Sequence, residues 1–365
     1  MTKKIKIFVA AGGTGGHVFP GYSLASHFLE KNYDVELITD SRGAKFLKYY
    51  ENLKLKEISS SPLIKKNILT IDLSISIIIF SIFRCLFFLT FNRPKIIFGM
   101  GGYSSFPLCV AASILRITFV IYENNLIIGK ANRYLLPLTK KIFVSHKELE
   151  GIPNKYKFKV CEIGNLIRKE IINFNKKNLE NENFDVIKIL VLGGSQAAKV
   201  FAEKLPLIFK RCKKEEISIK VYQQCLKNQK DDLLLFYKNL NIDFEIFNFT
   251  NNIHEYFSKV NLAITRSGAS IMGELTNANI PFISVPLPTS ADNHQLKNAL
   301  YYEKISFSYL IEEKNLEAKL FDLIKLLYKD KSLLKRMKIN QSQYSDKNVF
   351  QNINLQLEKI FNEKN

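Results

Sequence analysis

The chain has 365 residues, 47% of them hydrophobic, enough for two domains that each bury a core. Its formal net charge of +19 indicates a partner with negative charge, but only nine of the 53 basic side chains are arginine, and lysine-rich surfaces without a binding motif argue only weakly for nucleic acid. Five scattered cysteines without a CxxC pair and five dispersed histidines argue against a disulfide framework or a metal site and indicate a reducing compartment.

The first predicted unit is a strand over residues 5–11, followed by the glycine-rich stretch 12–17 (GGTGGH) and a helix from about Val18. Such a strand, turn and helix N-terminus present backbone N–H groups that suit a phosphate or diphosphate. The stretch fails the dinucleotide fingerprint, because Val18 stands where its third glycine belongs, and it fails the P-loop pattern, because His17 follows Gly16. The alternative is a tight turn whose glycines serve backbone geometry alone. The apolar run is too short for a signal peptide.

The rest of the first half alternates short apolar strands with helices, which is typical of a doubly wound parallel sheet. The pattern predicts strands at 35–39, 95–98, 118–122, 141–145 and 159–163, and a helix around 44–51. A second glycine-rich turn, residues 99–103 (GMGGY), follows a strand at the edge where open α/β sheets bind ligands.

Residues 73–91 are almost continuously apolar and long enough for a membrane span, but Arg84 near the middle makes a span costly. We therefore expect a buried or interfacial helix of the α/β domain. Lys65, Lys66, Arg93 and Lys95 flank the stretch, which suits a helix lying against anionic lipid headgroups.

A change to Lys, Asn and Glu over residues 166–185 predicts a linker, after which the strand–glycine–helix pattern restarts at 187–197. Further strands are predicted at 218–222, 243–247, 262–265 and 281–285, with helices at 231–239, 253–257, 271–278 and 293–303. The predicted domains are 1–165 and 186–345, followed by a helical segment, 346–365. We expect two Rossmann-like α/β domains whose glycine loops face each other across a cleft.

Polar residues follow two strands of the second half. Glu274 lies in a predicted helix that opens after Arg266-Ser267-Gly268, where it can bind vicinal ribose hydroxyls or act only as a partner of the helix dipole. Residues 292–295 (DNHQ) can recognise a sugar or cap a solvated helix. His17 is a candidate for proton transfer, although a lone histidine is more often structural.

Taken together, the motifs resemble the MurG family, inverting glycosyltransferases of the GT-B fold that add N-acetylglucosamine to lipid I in bacterial peptidoglycan synthesis. The matching stretches are GGTGGHVFP at 12–20, GMGGY at 99–103, ENN at 123–125, GN..R at 164–168, GGSQ at 193–196, RSGA with its Glu at 266–274, and DNHQ followed by NA at 292–299. The chain departs from the family at Leu166, Asn124, Ala197 and Cys225, where the family has proline, glutamine and two glycines.

The resemblance implies UDP-N-acetylglucosamine as donor, lipid I as acceptor, lipid II as product, and neither a metal nor a cofactor. Donor contacts are implied for Ser195 and the second-domain helix, with Glu274 on the ribose and Thr250 near the uracil. Gln295, Asn125 and Arg168 are implied to contact the sugar and phosphates, and Thr14, Gly15 and Gly16 match further donor-site positions. His17 is the implied base or orienting group, and the first glycine loops would also hold the lipid diphosphate. The implied substrate-binding residues are Thr14, Gly15, Gly16, Asn125, Arg168, Ser195, Thr250, Ala269, Ser270, Ile271, Met272, Gly273, Glu274 and Gln295.

A membrane-anchored acceptor also accounts for the net charge and for the apolar stretch 73–91 with its basic flanks. We therefore expect peripheral attachment to the cytoplasmic face of the inner membrane. Two alternatives stay open on the sequence: a UDP-N-acetylglucosamine epimerase of the same architecture, and a basic nucleic-acid-binding protein, although the aromatic and basic interleaving typical of the latter is missing.

Overall fold

The computed structural model describes residues 4–48, 53–58, 68–174, 184–194 and 199–363, with the backbone alone for 68–75. The chain divides into two units, the first formed by Met1–Arg168 with Asp346–Asn365 and the second by Lys169–Ser345. The C-terminal helical segment thus groups with the first unit, although the second unit, residues 169–345, separates it in sequence from the rest of that unit.

In the described part of the first unit, seven parallel strands form one sheet in the spatial order β3-β2-β1-β4-β5-β6-β7. Their bounds are β1 (Lys6–Ala10), β2 (Asp34–Thr39), β3 (Lys54–Glu57), β4 (Ile96–Gly99), β5 (Phe119–Glu123), β6 (Lys141–Val144) and β7 (Val160–Glu162). Because β1 pairs with both β2 and β4, the order of the chain reverses at its carboxyl end, and this switch point is where such sheets bind ligands.

Helices connect these strands and cover the sheet. They are α1 (Gly15–Glu30), α2 (Ser41–Leu47), α3 (Ile68–Phe91), α4 (Gly102–Ile114) and α5 (Lys130–Leu135). The core of this unit includes Phe8, Ile97, Phe119 and Ile142 from the strands, with Leu89 from α3 packed among them. These strands are buried on both faces, which explains their continuous apolar sequence.

In the second unit, six described strands form a parallel sheet in the order β10-β9-β8-β11-β12-β13. The strands are β8 (Ile187–Leu192), β9 (Ile219–Gln224), β10 (Asp243–Phe247), β11 (Leu262–Thr265), β12 (Phe282–Ser284) and β13 (Ser308–Leu310). The helices after β7 are α6 (Lys169–Ile172), α7 (Lys199–Lys214), α8 (Lys230–Asn239), α9 (Ile253–Phe257), α10 (Ala269–Asn277), α11 (His294–Lys304), α12 (Leu316–Lys329), α13 (Ser332–Ser342) and α14 (Val349–Asn362). Strand β8 lies between β9 and β11, which places a second switch point at its end.

The predicted pair of doubly wound α/β domains is confirmed, with differences in detail. Helix α1 begins at Gly15 rather than near Val18, so two of the four loop glycines belong to its first turn. Strand β3 was not predicted because its sequence KLKE is exposed throughout and has no apolar run, and β13 was missed because it has three residues. The predicted linker contains α6, and Phe184 near its end packs in the core of the second unit.

Helix α3 exposes an aromatic face. Phe80, Phe83, Phe87 and Phe91 are 62%, 65%, 71% and 78% exposed, whereas Ser81, Cys85 and Leu89 on the other side are buried. The buried positions recur every four residues and, with the partly buried Ile82, Leu86 and Phe88, form the stripe that packs on the domain, whereas the four phenylalanines meet solvent. Among the described residues, no helix has the length and apolarity that crossing a membrane requires.

Candidate functional site

The first glycine loop lies at the carboxyl end of β1, as the sequence predicts. Thr14 precedes α1 with extended backbone angles, and the amides of His17 and Val18 both donate to its carbonyl, which closes the first turn. Gly13 has φ +81°, a left-handed conformation that glycine adopts at low cost. A β-carbon at Gly15 would lie 2.9 Å from the Phe19 ring, so this position also requires glycine.

A buried carboxylate at the end of β2 holds this loop. Asp40 Oδ1 accepts hydrogen bonds from the amide of Gly13 at 3.0 Å and from the amide of Gly43 at 2.9 Å. Its other oxygen accepts from Arg42 Nη2 at 2.6 Å and Nε at 3.0 Å. Sequence reasoning missed this pair, whose only signal is the run Asp-Ser-Arg-Gly directly after a buried strand.

His17 lies against the second glycine turn. β-Carbons at Gly101 and Gly102 would each lie 3.2 Å from its imidazole ring, and both glycines have positive φ. The two glycine-rich turns predicted separately therefore meet at this histidine. Larger side chains at either glycine would displace the ring, so the turn fixes where His17 can present its nitrogens.

The carboxyl end of β5 adds a network of amides around one buried carboxylate. Glu123 accepts from the backbone and side-chain N–H groups of Asn125 and from Gly129 and Asn132, at 2.9 to 3.2 Å. Asn124, where the resembling family has glutamine, donates to the carbonyl of Gly16 at 3.1 Å and so connects this network with the first glycine loop. Asn125, which donates to the Asn124 side-chain oxygen at 3.2 Å, is thus one residue away from the contact with Gly16.

Arg168 is buried beside helix α1, with its guanidinium 5.1 Å from the centre of the Phe19 ring. The segment that carries it is fixed at Asn165, whose amide donates to Asp346 at 2.8 Å. Leu166 supplies an N–H where the resembling family has proline, and this N–H donates to the Tyr122 hydroxyl at 2.9 Å. Burial raises the pKa of Tyr122, so the hydroxyl stays protonated and hydrogen-bonded to Ser145.

In the second unit, the glycine loop after β8 reaches Gly194, which has φ +79° and open space where a β-carbon would lie. The predicted Ser195 and the departure at Ala197 lie outside the described residues. Cys225, the other position where the family has glycine, is buried in the core at the end of β9 and donates its amide to the Phe247 carbonyl. Its side chain therefore packs inside the unit.

Helix α10 begins at Ala269 after Gly268, which caps it without a side-chain hydrogen bond. The amide of Met272 already donates to the Gly268 carbonyl at 3.1 Å, so the helix offers the amides of its first turn, from Ala269 to Ile271, to a ligand. Met272 and Gly273 are buried, and any contact with a ligand there is through the backbone.

Glu274 is the sixth residue of α10 and is buried, with 3% of its surface exposed. It lies beyond the first turn of the helix, so a dipole interaction at the N-terminus accounts poorly for its position. A carboxylate can accept hydrogen bonds from two neighbouring hydroxyl groups, which is the role that the sequence predicts for Glu274.

Gln295, in the first turn of α11, and Thr250, in the loop after β10, lie at the same edge of the second sheet. Gln295 accepts the amide of Leu287 through its side-chain oxygen at 3.0 Å, which fixes the loop after β12 and leaves its NH₂ group facing away from that bond. Thr250 follows β10 and accepts the amide of Asn252 at 3.0 Å, which closes a turn there. Each side chain thus accepts a backbone amide of the segment where the sequence predicts ligand contacts.

Arg266 connects the loop after β12 with Glu313 and with helix α7, a structural role that sequence analysis did not predict. Its guanidinium donates to the carbonyls of Val285 and Pro286 at 3.3 Å, pairs closely with Glu313 and stacks 4.9 Å from the Phe201 ring. The buried arginine is therefore a structural clamp on the loop that leads to Gln295. Within the described residues, no three His, Cys, Asp or Glu side chains are grouped as ligands for a metal ion.

Two family models match the chain and cover most of both units. Residues 7–144 match the glycosyltransferase family 28 N-terminal domain, and residues 188–353 match the family's C-terminal domain. The chain belongs to glycosyltransferase family 28. The resemblance seen in the motifs is confirmed, and the protein is a glycosyltransferase.

Two relatives of this family 28 protein are named UDP-N-acetylglucosamine–N-acetylmuramyl-(pentapeptide) pyrophosphoryl-undecaprenol N-acetylglucosamine transferase. The one from Pelagibacter ubique is 36% identical over 98% of this chain and 99% of its own length. The one from Rickettsia bellii is 34% identical over 91% of this chain and 96% of its own length. Among solved structures, Acinetobacter baumannii MurG superposes with a TM-score of 0.78 at 22% identity, covering 98% of this chain and all of that one, which supports the GT-B fold.

Proposed function

We propose that this family 28 glycosyltransferase moves N-acetylglucosamine from UDP-N-acetylglucosamine to the C4 hydroxyl of the muramoyl sugar of lipid I, giving lipid II. The observation that carries the proposal is the 36% identity to a transferase of this name over nearly the whole of both chains. The epimerase alternative is not favoured, because the relatives that match at this level are transferases.

The donor binds mainly to the second unit. The amides at the start of α10, from Ala269 to Ile271, and Ser195 contact its diphosphate, with Met272 and Gly273 contributing backbone only. Glu274 accepts the ribose hydroxyls, and the backbone near Thr250 contacts the uracil. Gln295 presents its amide NH₂ to the sugar or phosphates.

The first unit supplies the acceptor side and further donor contacts. Asn125, Arg168 and the loop Thr14 to Gly16 contact the donor sugar and phosphates. The same loop and the turn at Gly101 also hold the lipid diphosphate. Two buried carboxylates support this assignment. Glu123 accepts the side-chain N–H of Asn125, and Asp40 accepts the amide of Gly13 in the first glycine loop.

The reaction is a displacement at the anomeric carbon. The acceptor O4 forms the new bond as the bond to the UDP oxygen breaks, the electron pair leaves with UDP, and the configuration inverts from α to β. His17 takes the O4 proton or orients that hydroxyl. Arg168 and the N-terminus of α10 stabilise the charge that develops on UDP.

The protein attaches peripherally to the cytoplasmic face of the inner membrane through α3. Its four exposed phenylalanines are the support for this proposal, together with the basic side chain of Arg93 just beyond the helix. Lys65 and Lys66 before the helix lie outside the described residues. Nucleic acid is not proposed as a partner.

The test is transfer of radiolabelled N-acetylglucosamine from the UDP-sugar to a lipid I analogue by the full chain. Lipid II formation that depends on both substrates is expected, and Glu274→Ala and His17→Ala should each reduce it. Folded protein without transfer activity would overturn the proposed function. Full activity in His17→Ala would remove only the role given to that histidine.

A further inference from the structure

We propose that Arg42, a residue to which the motifs assign no role, binds the diphosphate of the lipid acceptor at the first glycine loop. The inference rests on the proposed function and adds a residue to the acceptor site. It begins from geometry: a β-carbon at Gly13 would lie 3.7 Å from Arg42 Nη2 and 3.9 Å from Cζ. The guanidinium therefore lies directly against the loop.

The position of this guanidinium is fixed by a buried anchor. Asp40 is nearly fully buried, and both of its oxygens are occupied: one by the amides of Gly13 and Gly43, the other by Nε and Nη2 of Arg42. The same carboxylate thus holds the loop and the arginine in one arrangement. A rotamer-rich side chain held this way has already lost the freedom that binding would otherwise cost.

The arginine still has donors for a ligand. A guanidinium has five N–H groups, and Asp40 takes two of them. In the part of the chain that the structure describes, no other group accepts from the remaining three, and the side chain is 47% exposed. Neutralising Asp40 would not require the guanidinium plane of Arg42 to lie against the first glycine loop, so the ion pair alone does not explain this position.

The chemistry of the two units indicates which diphosphate is bound. The reaction involves one diphosphate in UDP-N-acetylglucosamine and one in the lipid acceptor, and each unit has its own glycine loop at a switch point. The features suited to a nucleotide, Glu274 and the α10 N-terminus, belong to the second unit. The first loop, with Arg42 against it, is therefore the one that holds the acceptor diphosphate, and an arginine fork matches phosphate oxygens well.

The experiment measures KM separately for the two substrates in Arg42→Gln, Arg42→Lys and Lys45→Gln. Lys45 is exposed on the same helix α2, so its variant loses the same charge without touching the loop. Arg42→Gln should raise the acceptor KM by about tenfold to a hundredfold, the loss expected for charge-assisted hydrogen bonds, with the donor KM unchanged. Inorganic diphosphate should compete with the acceptor in the wild type and much less in Arg42→Gln.

Arg42→Lys separates a binding effect from a folding effect. Lysine can keep the ion pair with Asp40, and with it the native Tm, but it has no guanidinium to bind two phosphate oxygens at once. An acceptor KM that rises in this variant at native Tm supports the proposal. An unchanged acceptor KM in both Arg42 variants, a rise in the donor KM alone, or equal rises for both substrates would overturn it. A wild-type chain without transfer activity would instead overturn the proposed function, so the two failures are distinguishable.

Discussion

Glu123 holds the side-chain amide of Asn125 at 2.9 Å, and three more N–H groups converge on the same buried carboxylate. One oxygen takes both N–H groups of Asn125, and the other takes the amide of Gly129 and the side chain of Asn132. Glu123 is the acceptor in all four hydrogen bonds. Its carboxylate can therefore position the loop after β5 without contacting the substrate.

The isosteric change Glu123→Gln should displace Asn125. Whichever way the new amide is oriented, its NH₂ faces two N–H donors, so two hydrogen bonds are lost and replaced by repulsion. One such bond to a charged group contributes about 2 kcal/mol, so loss of the bond that positions the Asn125 side chain should lower kcat/KM about thirtyfold. Steady-state transfer kinetics with the lipid I analogue measure the effect.

A double-mutant cycle separates positioning from general damage. If Glu123 acts through Asn125, Glu123→Gln and Asn125→Ala should not be additive, and the double variant should be about as slow as Asn125→Ala alone. Additive losses would show that the carboxylate supports activity by another route.

Glu274→Gln should weaken recognition of the ribose and leave the fold intact, because the side chain is buried and the change conserves its shape. We expect the KM for UDP-N-acetylglucosamine to rise by about tenfold or more, with the acceptor KM unchanged. Inhibition by UDP and by its 2′-deoxy and 3′-deoxy analogues gives the decisive comparison. The wild type should discriminate between them and the variant should not; discrimination retained in the variant would assign the ribose contact elsewhere.

The exposed phenylalanines of α3 should determine binding to anionic vesicles. Phe83→Ser and Phe87→Ser each remove an apolar side chain that enters the headgroup region, and each should lower the partition coefficient by roughly tenfold. Leu235→Ser is a matched control, since this leucine is 63% exposed on helix α8 of the second unit. Vesicle co-sedimentation that falls equally in the control, or in none of the variants, would contradict attachment through α3.

The sequence was most informative where local pattern determines structure. Strand, glycine turn and helix follow one another directly, so the loops at Gly12 and Gly193 and helix α10 could be located from spacing. Apolar composition could not say which face of α3 packs, because both faces are apolar and only the contacts with the domain separate Leu89 from Phe87.

Contacts between distant parts of the chain were beyond sequence reasoning. Asp346 binds the amide of Asn165 across 181 residues, and a β-carbon at Gly164 would lie 2.6 Å from its carboxylate. No periodicity links these positions, because their pairing exists only after the chain has returned from the second unit. The same holds for Arg266 and Glu313, which meet from separate loops.

His146 should make the first unit sensitive to acid. Burial lowers the pKa of this residue, just beyond β6, from 6.5 to about 4, with Glu148 opposing the shift. Between these values the unfolded chain binds a proton that the folded chain does not, so the free energy of unfolding falls as the pH falls from 6.5 toward 4. The loss at pH 5 relative to pH 7.5 should be about 2 kcal/mol. His146→Gln, which cannot be protonated, should reduce this loss, whereas His254→Gln on α9 should keep it. Hydrogen exchange of peptides that cover β6 measures the opening free energy in this unit, and an equal acid dependence in all three proteins would exclude His146 as its source.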